Sequence, residues 1–160
     1  MKVKPAPFKT TPQASKKLDK QLRKSIIKAV HDKEERRKKM TKKILVVDDD
    51  KLVGVSLERL LKLKGYAVSF VDNGTAAIQK VKETDFDLII SDIRMSKLDG
   101  IETIERIREY LKEQSKDSIP EVLITGFADN ESYRSAQKMG VADFIYKPFD
   151  TDKFLQIVER

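Results

Sequence analysis

The sequence predicts an α/β fold: a five-stranded parallel sheet with helices on both faces, preceded by an N-terminal helix. Three observations lead to this prediction. Five short runs are apolar almost throughout, which is typical of parallel strands buried on both sides. These runs alternate along the chain with segments whose apolar residues recur at helical spacing. Glycines and aspartates, which favour turns and helix ends, stand at the boundaries.

The predicted strands are short, and several end at polar residues. Their bounds are Ile44–Val47, Tyr66–Val71, Asp87–Ser91, Val122–Thr125 and Asp143–Tyr146. Right-handed crossovers leave few topologies for such a series. In open sheets of this kind, the ligand site lies at the carboxyl ends of the strands.

A helix is predicted after each strand. The first has apolar residues from Leu52 to Leu61 and ends at Gly65, and the third has them from Ile101 to Leu111. The other three are Thr75–Val81 after Asn73-Gly74, Asn130–Met139 before Gly140, and Asp152–Glu159. Because each carries an apolar stripe, each is expected to pack on the sheet.

The charge of the chain is divided between two parts. Residues 1–43 hold 16 Lys and Arg against four acidic residues, a net charge of +12. Residues 44–160 hold 17 basic and 22 acidic residues, a net charge of −5. This division indicates an acidic globular domain with a basic arm.

Composition also excludes several classes of site. The absence of cysteine excludes disulfides and cysteine-ligated metals, and the single histidine, His31, disfavours a histidine-rich metal site. No apolar run has the 18 or so residues needed to span a bilayer. The N-terminus lacks the apolar core of a secretory signal. The expected location is therefore the cytoplasm.

The basic arm is expected to have two parts in front of a domain at 42–160. Residues 1–14 are proline-containing with little to bury, so they are interpreted as a disordered tail. Residues 15–41 are interpreted as a basic amphipathic helix or linker, with Ser15 as its N-cap.

An apolar stripe defines the helical part of the arm. Its members recur every four residues: Leu18, Leu22, Ile26 and Val30. A helix of this length is not stable unless it buries its stripe. The favoured interpretation is docking on a partner or self-association, and contact with nucleic acid or an anionic membrane is less favoured.

Polar residues gather at the predicted carboxyl edge of the sheet. The first strand is followed by Asp48, Asp49 and Asp50, and the later strands lead to Asp92, Thr125 and Lys147. Clustered carboxylates suit Mg²⁺, a cation that prefers oxygen ligands. A lysine and a hydroxyl in the same crevice suit a phosphoryl group. A carboxylate there can also attack phosphorus and form an aspartyl phosphate.

Five segments, ILVVDDD, IISDIRM, LDGIE, LITG and YKPF, occur in this order between residues 42 and 160. With them the chain resembles the receiver domain of two-component response regulators. The resemblance implies a flavodoxin-like receiver fold and a phosphorylation-dependent signalling switch. Such a domain catalyses only its own phosphorylation and dephosphorylation, and is otherwise not an enzyme.

The resemblance also implies a role for individual residues. Asp92 would accept a phosphoryl group from a phosphohistidine on a sensor histidine kinase or phosphotransfer protein. Mg²⁺, or Mn²⁺ in its place, would be held by Asp48, Asp49, Asp92 and the backbone carbonyl of Arg94; Thr125 and Lys147 would contact the phosphoryl group; Phe144 would be the aromatic switch residue; and Lys147-Pro148 would be the cis-prone peptide.

Three departures and an output surface complete this interpretation. Ser96 stands where the family often has proline, and its loop is therefore expected to be less rigid. Arg94 and Phe127 occupy the positions that tune the lifetime of the phosphoryl group. Phosphorylation is expected to change the surface of the fourth helix, fifth strand and last helix, and so alter partner binding.

Two alternatives remain open at this stage. The D-x-D pattern of Asp48 and Asp50 after an apolar strand resembles a haloacid-dehalogenase-type phosphatase, with Asp48 as nucleophile and Asp50 as acid/base. That interpretation leaves Asp92 without a role. The second alternative is that the chain is the regulatory receiver fragment of a larger transcription factor or hybrid kinase.

Overall fold

The computed structural model describes Lys20 and residues 22–32, 41–126 and 130–160, the last range without the side chains of 130–133. The predicted tail at 1–14, and the predicted roles of Ser15, Leu18 and Phe127, lie outside the described residues. The chain divides into two units, residues 1–40 and residues 41–160, and each is described by itself.

In the first unit, residues 22–32 are helical, as the apolar stripe predicted. Among the described residues of the chain, no helix is both long enough and apolar enough to cross a bilayer.

The second unit is built on a parallel sheet of five strands in the order β2-β1-β3-β4-β5. The strands are β1 (Lys43–Val47), β2 (Ala67–Val71), β3 (Leu88–Asp92), β4 (Glu121–Gly126) and β5 (Asp143–Lys147). This sheet confirms the predicted fold class. At most of the strand ends, the observed bound differs from the predicted bound by one residue. The order reverses at β1 and β3, so the crevice of the sheet lies between their carboxyl ends.

Five helices connect or follow these strands. They are α1 (Lys51–Leu63), α2 (Gly74–Glu83), α3 (Gly100–Glu113), α4 (Asn130–Met139) and α5 (Thr151–Val158). Aspartate or asparagine side chains cap the first, second, third and fifth by accepting hydrogen bonds from main-chain N–H groups of the first turn. Each such cap is worth about 1 kcal/mol. Gly65 and Gly140 follow α1 and α4 with positive φ, the conformation in which glycine ends helices.

The helices bury two apolar clusters, one on each face of the sheet. The first face carries side chains of α2, α3 and α4 against Leu45, Ile89 and Leu123. The opposite face carries α1 and α5, with the fully buried Phe154 packed near Ile44 and Ile90. Alternate residues of each central strand thus enter opposite clusters, which fixes the register that aligns the strand ends.

The register places the polar strand ends in one layer. Asp92 pairs with Ile124, which precedes Thr125, and Gly126 pairs with Lys147. On the other side, Val47 pairs with Ser91, so Asp48 and Asp92 emerge side by side. The site that follows is therefore a product of sheet register.

Candidate functional site

Three carboxylates meet at the carboxyl edge of the sheet. Asp48, Asp49 and Asp92 each offer an oxygen, and these oxygens lie within 4.8 Å of one another. Asp48 is fully buried and Asp92 nearly so, whereas Asp49 is exposed. Oxygen donors with one side open to solvent fit Mg²⁺, which retains several waters when it binds. The predicted ligand side chains are thus together, and a cation entering from the Asp49 side would meet them.

Asp48 is the most deeply buried carboxylate of the three. Burial raises the pKa of Asp48 above its usual value near 3.8, and the nearby charge of Asp92 acts in the same direction. The N–H of Asp50, which donates to Asp48 Oδ1 over 2.8 Å, and the charge of Lys147 oppose this rise without cancelling it. The ionised carboxylate is therefore held in the folded domain at a free-energy cost.

Lys147 supplies the counter-charge. Its Nζ lies 3.0 Å from Asp92 Oδ2 and 3.4 Å from Asp48 Oδ2. Burial by itself lowers the pKa of Lys147, but the hydrogen bond and charge of Asp92, together with Asp48, raise it above the usual value. The lysine therefore stays charged, as a group that pairs with a phosphoryl anion must. The Lys147-Pro148 peptide is cis, as the resemblance implied.

Asp48→Asn should raise the thermal stability of the metal-free protein at neutral pH. The folded-state pKa of Asp48 is raised, so its carboxylate opposes folding at every pH above that folded pKa. The contribution of Asp48 to stability should fall as pH rises from about 3.8 through its folded pKa, whereas carboxylates whose pKa is lowered, such as Asp87, contribute in the opposite direction. Stability should therefore rise more with pH in the variant than in the wild type. We expect a Tm higher by about 3 °C, as about 1 kcal/mol gives in a domain of this size.

Scanning calorimetry in chelator between pH 4 and about pH 7, where carboxyl groups complete their titration, measures this effect. Asp150→Asn removes a surface carboxylate that caps α5, and asparagine caps helices about as well as aspartate, so this control should leave the Tm nearly unchanged. A lower Tm for Asp48→Asn with an unchanged pH slope would contradict the prediction.

Asp49 holds the loop between β3 and α3. Its Oδ2 accepts a hydrogen bond of 2.9 Å from the N–H of Ser96. Proline has no N–H and could not make this bond, so Ser96 ties its loop to the carboxylate cluster by a contact that the common family residue lacks. Arg94, whose carbonyl is the fourth predicted ligand, lies in the same loop with an exposed side chain.

Thr125 lies near the carboxyl end of β4, and Phe144 lies within β5. The Thr125 hydroxyl is buried and donates to the carbonyl of Gly126 over 3.3 Å, longer than usual for an O–H···O bond. A stronger acceptor could therefore displace that contact at little cost. Phe144 is half-buried against the cluster of α2, α3 and α4.

Asp50 has a structural role at the start of α1. Its Oδ1 accepts hydrogen bonds of 2.9 Å from Leu52 N–H and 3.3 Å from Val53 N–H, so it is the N-cap of α1. The carboxylate is engaged by main-chain donors and is not part of the three-carboxylate cluster. The phosphatase interpretation, which needs Asp50 as an acid/base, has no support in this arrangement.

The sequence did not indicate that Gly100 contacts Asp92, the predicted phospho-acceptor. Gly100 opens α3 and is buried, and a Cβ added to it would overlap the main-chain oxygen of Asp92. Its N–H donates to the carbonyl of Ile93 over 2.8 Å. The sequence signal at this place is the Asp99-Gly100 pair, which favours a turn and helix start, and Asp99 caps α3.

Comparison with known proteins shows which protein family matches this chain. A family model described as the response regulator receiver domain matches residues 44–159. The transcriptional regulatory protein ZraR of Klebsiella oxytoca is 41% identical over 110 residues, which are 69% of this chain. FixJ of Bradyrhizobium diazoefficiens, also a transcriptional regulatory protein, is 34% identical over 116 residues, or 72% of this chain.

Comparison with solved structures gives the same result as comparison with related sequences. The chemotaxis protein CheY4 of Vibrio cholerae superposes with a TM-score of 0.68 at 26% identity, over 75% of this chain and 98% of that protein. The longer regulators are matched only in part, because the similar region spans 24% of the ZraR chain and 54% of FixJ.

Proposed function

This chain belongs to the response regulator receiver family, whose domains are phosphorylation-dependent switches, and on that premise we propose that Asp92 is its phospho-acceptor. The single observation that carries the proposal is the contact of Asp92 with Lys147 at 3.0 Å beside the carboxylates of Asp48 and Asp49. A nucleophilic carboxylate, a fixed ammonium group and two further carboxylates on one edge are what aspartyl phosphorylation requires.

The proposed reaction is a phosphoryl transfer from a phosphohistidine. One carboxylate oxygen of Asp92 attacks phosphorus, a P–O bond forms, and the P–N bond to the donor imidazole breaks. Lys147 then moves its pairing from the free carboxylate to the new phosphoryl oxygens, and Thr125 donates its hydroxyl to one of them. The roles of Lys147 and Thr125 are inferred from their positions at the ends of β5 and β4.

The proposal assigns the metal to the three-carboxylate cluster and the carbonyl of Arg94. Mg²⁺, or Mn²⁺ in its place, would neutralise charge on the transferring phosphoryl group. Asp48 and Asp49 would hold the cation, and the Ser96 N–H donates a hydrogen bond to the Asp49 carboxylate. The oxygen-only donor set supports Mg²⁺ over softer metals.

The switch surface is proposed to be formed by α4, β5 and α5. Among the described side chains of α4, at 134–139, only Ala136 is buried and Met139 is half-buried, so this part of the helix makes little apolar contact. Movement of the Thr125 hydroxyl toward the phosphoryl group would change the packing of the half-buried Phe144, which pairs with Leu123 on the neighbouring strand. Phosphorylation then shifts a population of surface conformations.

The partners are proposed in the same terms. A sensor histidine kinase or phosphotransfer protein supplies the phosphoryl group in the cytoplasm, and the changed surface is read by an output partner. The domain acts as a non-enzymatic signalling component, and its catalysis is limited to its own phosphorylation and dephosphorylation. As in ZraR and FixJ, which are longer transcriptional regulators, residues 42–160 would serve as the receiver unit.

The test is phosphorylation by acetyl phosphate, a small donor, followed by intact mass measurement with Mg²⁺ or with chelator. We expect wild type to gain one phosphoryl group only in Mg²⁺, and Asp92→Asn to gain none. Asp87→Asn is a matched control, since Asp87 is an exposed aspartate near the opposite edge of the sheet, and it should behave as wild type.

Two results would overturn the proposal. A gain that survives in Asp92→Asn would remove the assignment of the acceptor and return attention to Asp48. A Mg²⁺-loaded wild type that is phosphorylated neither by acetyl phosphate nor by phosphoramidate, a P–N donor, would remove the proposed reaction.

A further inference from the structure

The helix at residues 22–32 presents an apolar surface that its own unit does not bury. Leu22, Ile26 and Val30 are 58%, 54% and 52% exposed, and Ile27 is 68% exposed. At about 100° per residue, the first three fall within an arc of about 80°. Ile27 lies about 60° beyond Val30, with Arg23 between them. The continuous apolar face is therefore the arc of Leu22, Ile26 and Val30, and Ile27 lies beside it.

The opposite side of this helix is cationic. Lys20, Lys24 and Lys28 also recur every four residues, and they lie centred about 160° from the middle of the Leu22–Val30 arc. Around them, residues 1–43 carry a net charge of +12. The helix is thus amphipathic, and any surface that covers its apolar face must also accept a high positive charge.

This combination discriminates among binding surfaces. A second copy would bring two arms of net charge +12 near each other. Nucleic acid would neutralise the lysines but leave the apolar side chains in water. An anionic lipid surface provides both components, since acyl chains receive the apolar face and acidic headgroups attract the lysines. We propose that residues 22–32 bind in the plane of an anionic membrane surface.

The proposal does not depend on the receiver chemistry, because none of its residues belongs to the phosphorylation site. Each lysine near an anionic surface is worth about 1 kcal/mol of attraction, and each large apolar side chain transferred into the interface adds a comparable amount. Lysine and apolar contributions should therefore be separable by paired substitutions.

The experiment is sedimentation of the full chain with phosphatidylcholine vesicles, with and without phosphatidylglycerol. We expect binding only when phosphatidylglycerol is present, with a gain of helical circular dichroism. The double variant Ile26→Gln and Val30→Gln, and separately Lys24→Gln and Lys28→Gln, should each weaken partitioning at least about tenfold.

A matched control removes exposed leucines from the other unit. Leu52 and Leu63 in α1 are 82% and 78% exposed, and the double variant Leu52→Gln and Leu63→Gln should bind vesicles as wild type does. Phosphorylation by acetyl phosphate at the wild-type rate in all variants shows that the receiver remains folded.

Four outcomes would overturn the proposal. They are equal binding to both vesicle types, wild-type binding by the Ile26/Val30 variant, tighter binding to duplex DNA than to phosphatidylglycerol vesicles at equal anion concentration, and a dimer in sedimentation equilibrium that the Ile26/Val30 variant abolishes. The second and third would mean that charge alone acts, and the fourth that a second copy covers the face.

Discussion

Gly100→Ala should lower the free energy of unfolding by about 2 kcal/mol and slow phosphorylation by about tenfold or more. The added methyl would overlap the main-chain oxygen of Asp92 and lie 2.9 Å from its carbonyl carbon. These are backbone atoms on a central strand, so they cannot rotate away as a side chain would. Relief of the overlap must move either α3 or the residue that carries the acceptor carboxylate.

Urea unfolding and the rate of acetyl phosphate labelling measure the two effects. Gly54→Ala is the matched control, because its new methyl would overlap the ring of Phe70, a half-buried side chain of edge strand β2. The control should lose stability but keep the labelling rate while it remains folded. If Gly100→Ala labels as fast as Gly54→Ala, its contact does not position Asp92.

Arg108→Met should destabilise the domain by about 3 kcal/mol. Arg108 makes a bidentate pair with Glu121, in which Nε and Nη2 lie 2.8 Å and 2.7 Å from the two carboxylate oxygens. Its Nη1 also donates to the carbonyl of Met139 over 2.7 Å. Glu121 is only 4% exposed, so the substitution leaves a buried carboxylate without a cation.

The double variant Arg108→Met and Glu121→Met separates charge from packing. Replacement of both partners by apolar groups should recover most of the lost stability. A double variant as unstable as Arg108→Met would mean that the arginine contributes through its contact with Met139.

The sheet and its helices could be predicted because periodicity and strand-end residues agree. The β1, β3 and β4 runs are apolar because both faces of these strands are covered, and α4 was predicted with its observed bounds. Strand β2 was harder, since it lies at the edge with an exposed first residue and half-buried successors. Errors of one residue at strand ends reflect hydrogen bonding to a neighbour, which local sequence does not specify.

The site was predictable where it depends on strand ends, but not where it depends on close approach. The side chains of Asp48, Asp92 and Lys147 project from ends that register brings together. Nothing local indicates that Gly100 packs on the main chain of Asp92, because their contact arises only when α3 is seated on the sheet. The Ser96 N–H contact with Asp49 was hidden for another reason, since main-chain donors leave no mark in sequence.

The order of strands places the negative and positive charges of the site on strands of unequal local stability. Asp48 and Asp92 follow interior strands β1 and β3, whereas Lys147 ends β5, at the margin of the sheet. Marginal strands open locally at lower free energy than interior ones. Amide hydrogens of β5 should thus exchange before those of β1 and β3, and in such openings the ammonium group would withdraw while the carboxylates stay in register. The acidic half of the pocket would then persist as a cation trap even when its basic half is briefly lost.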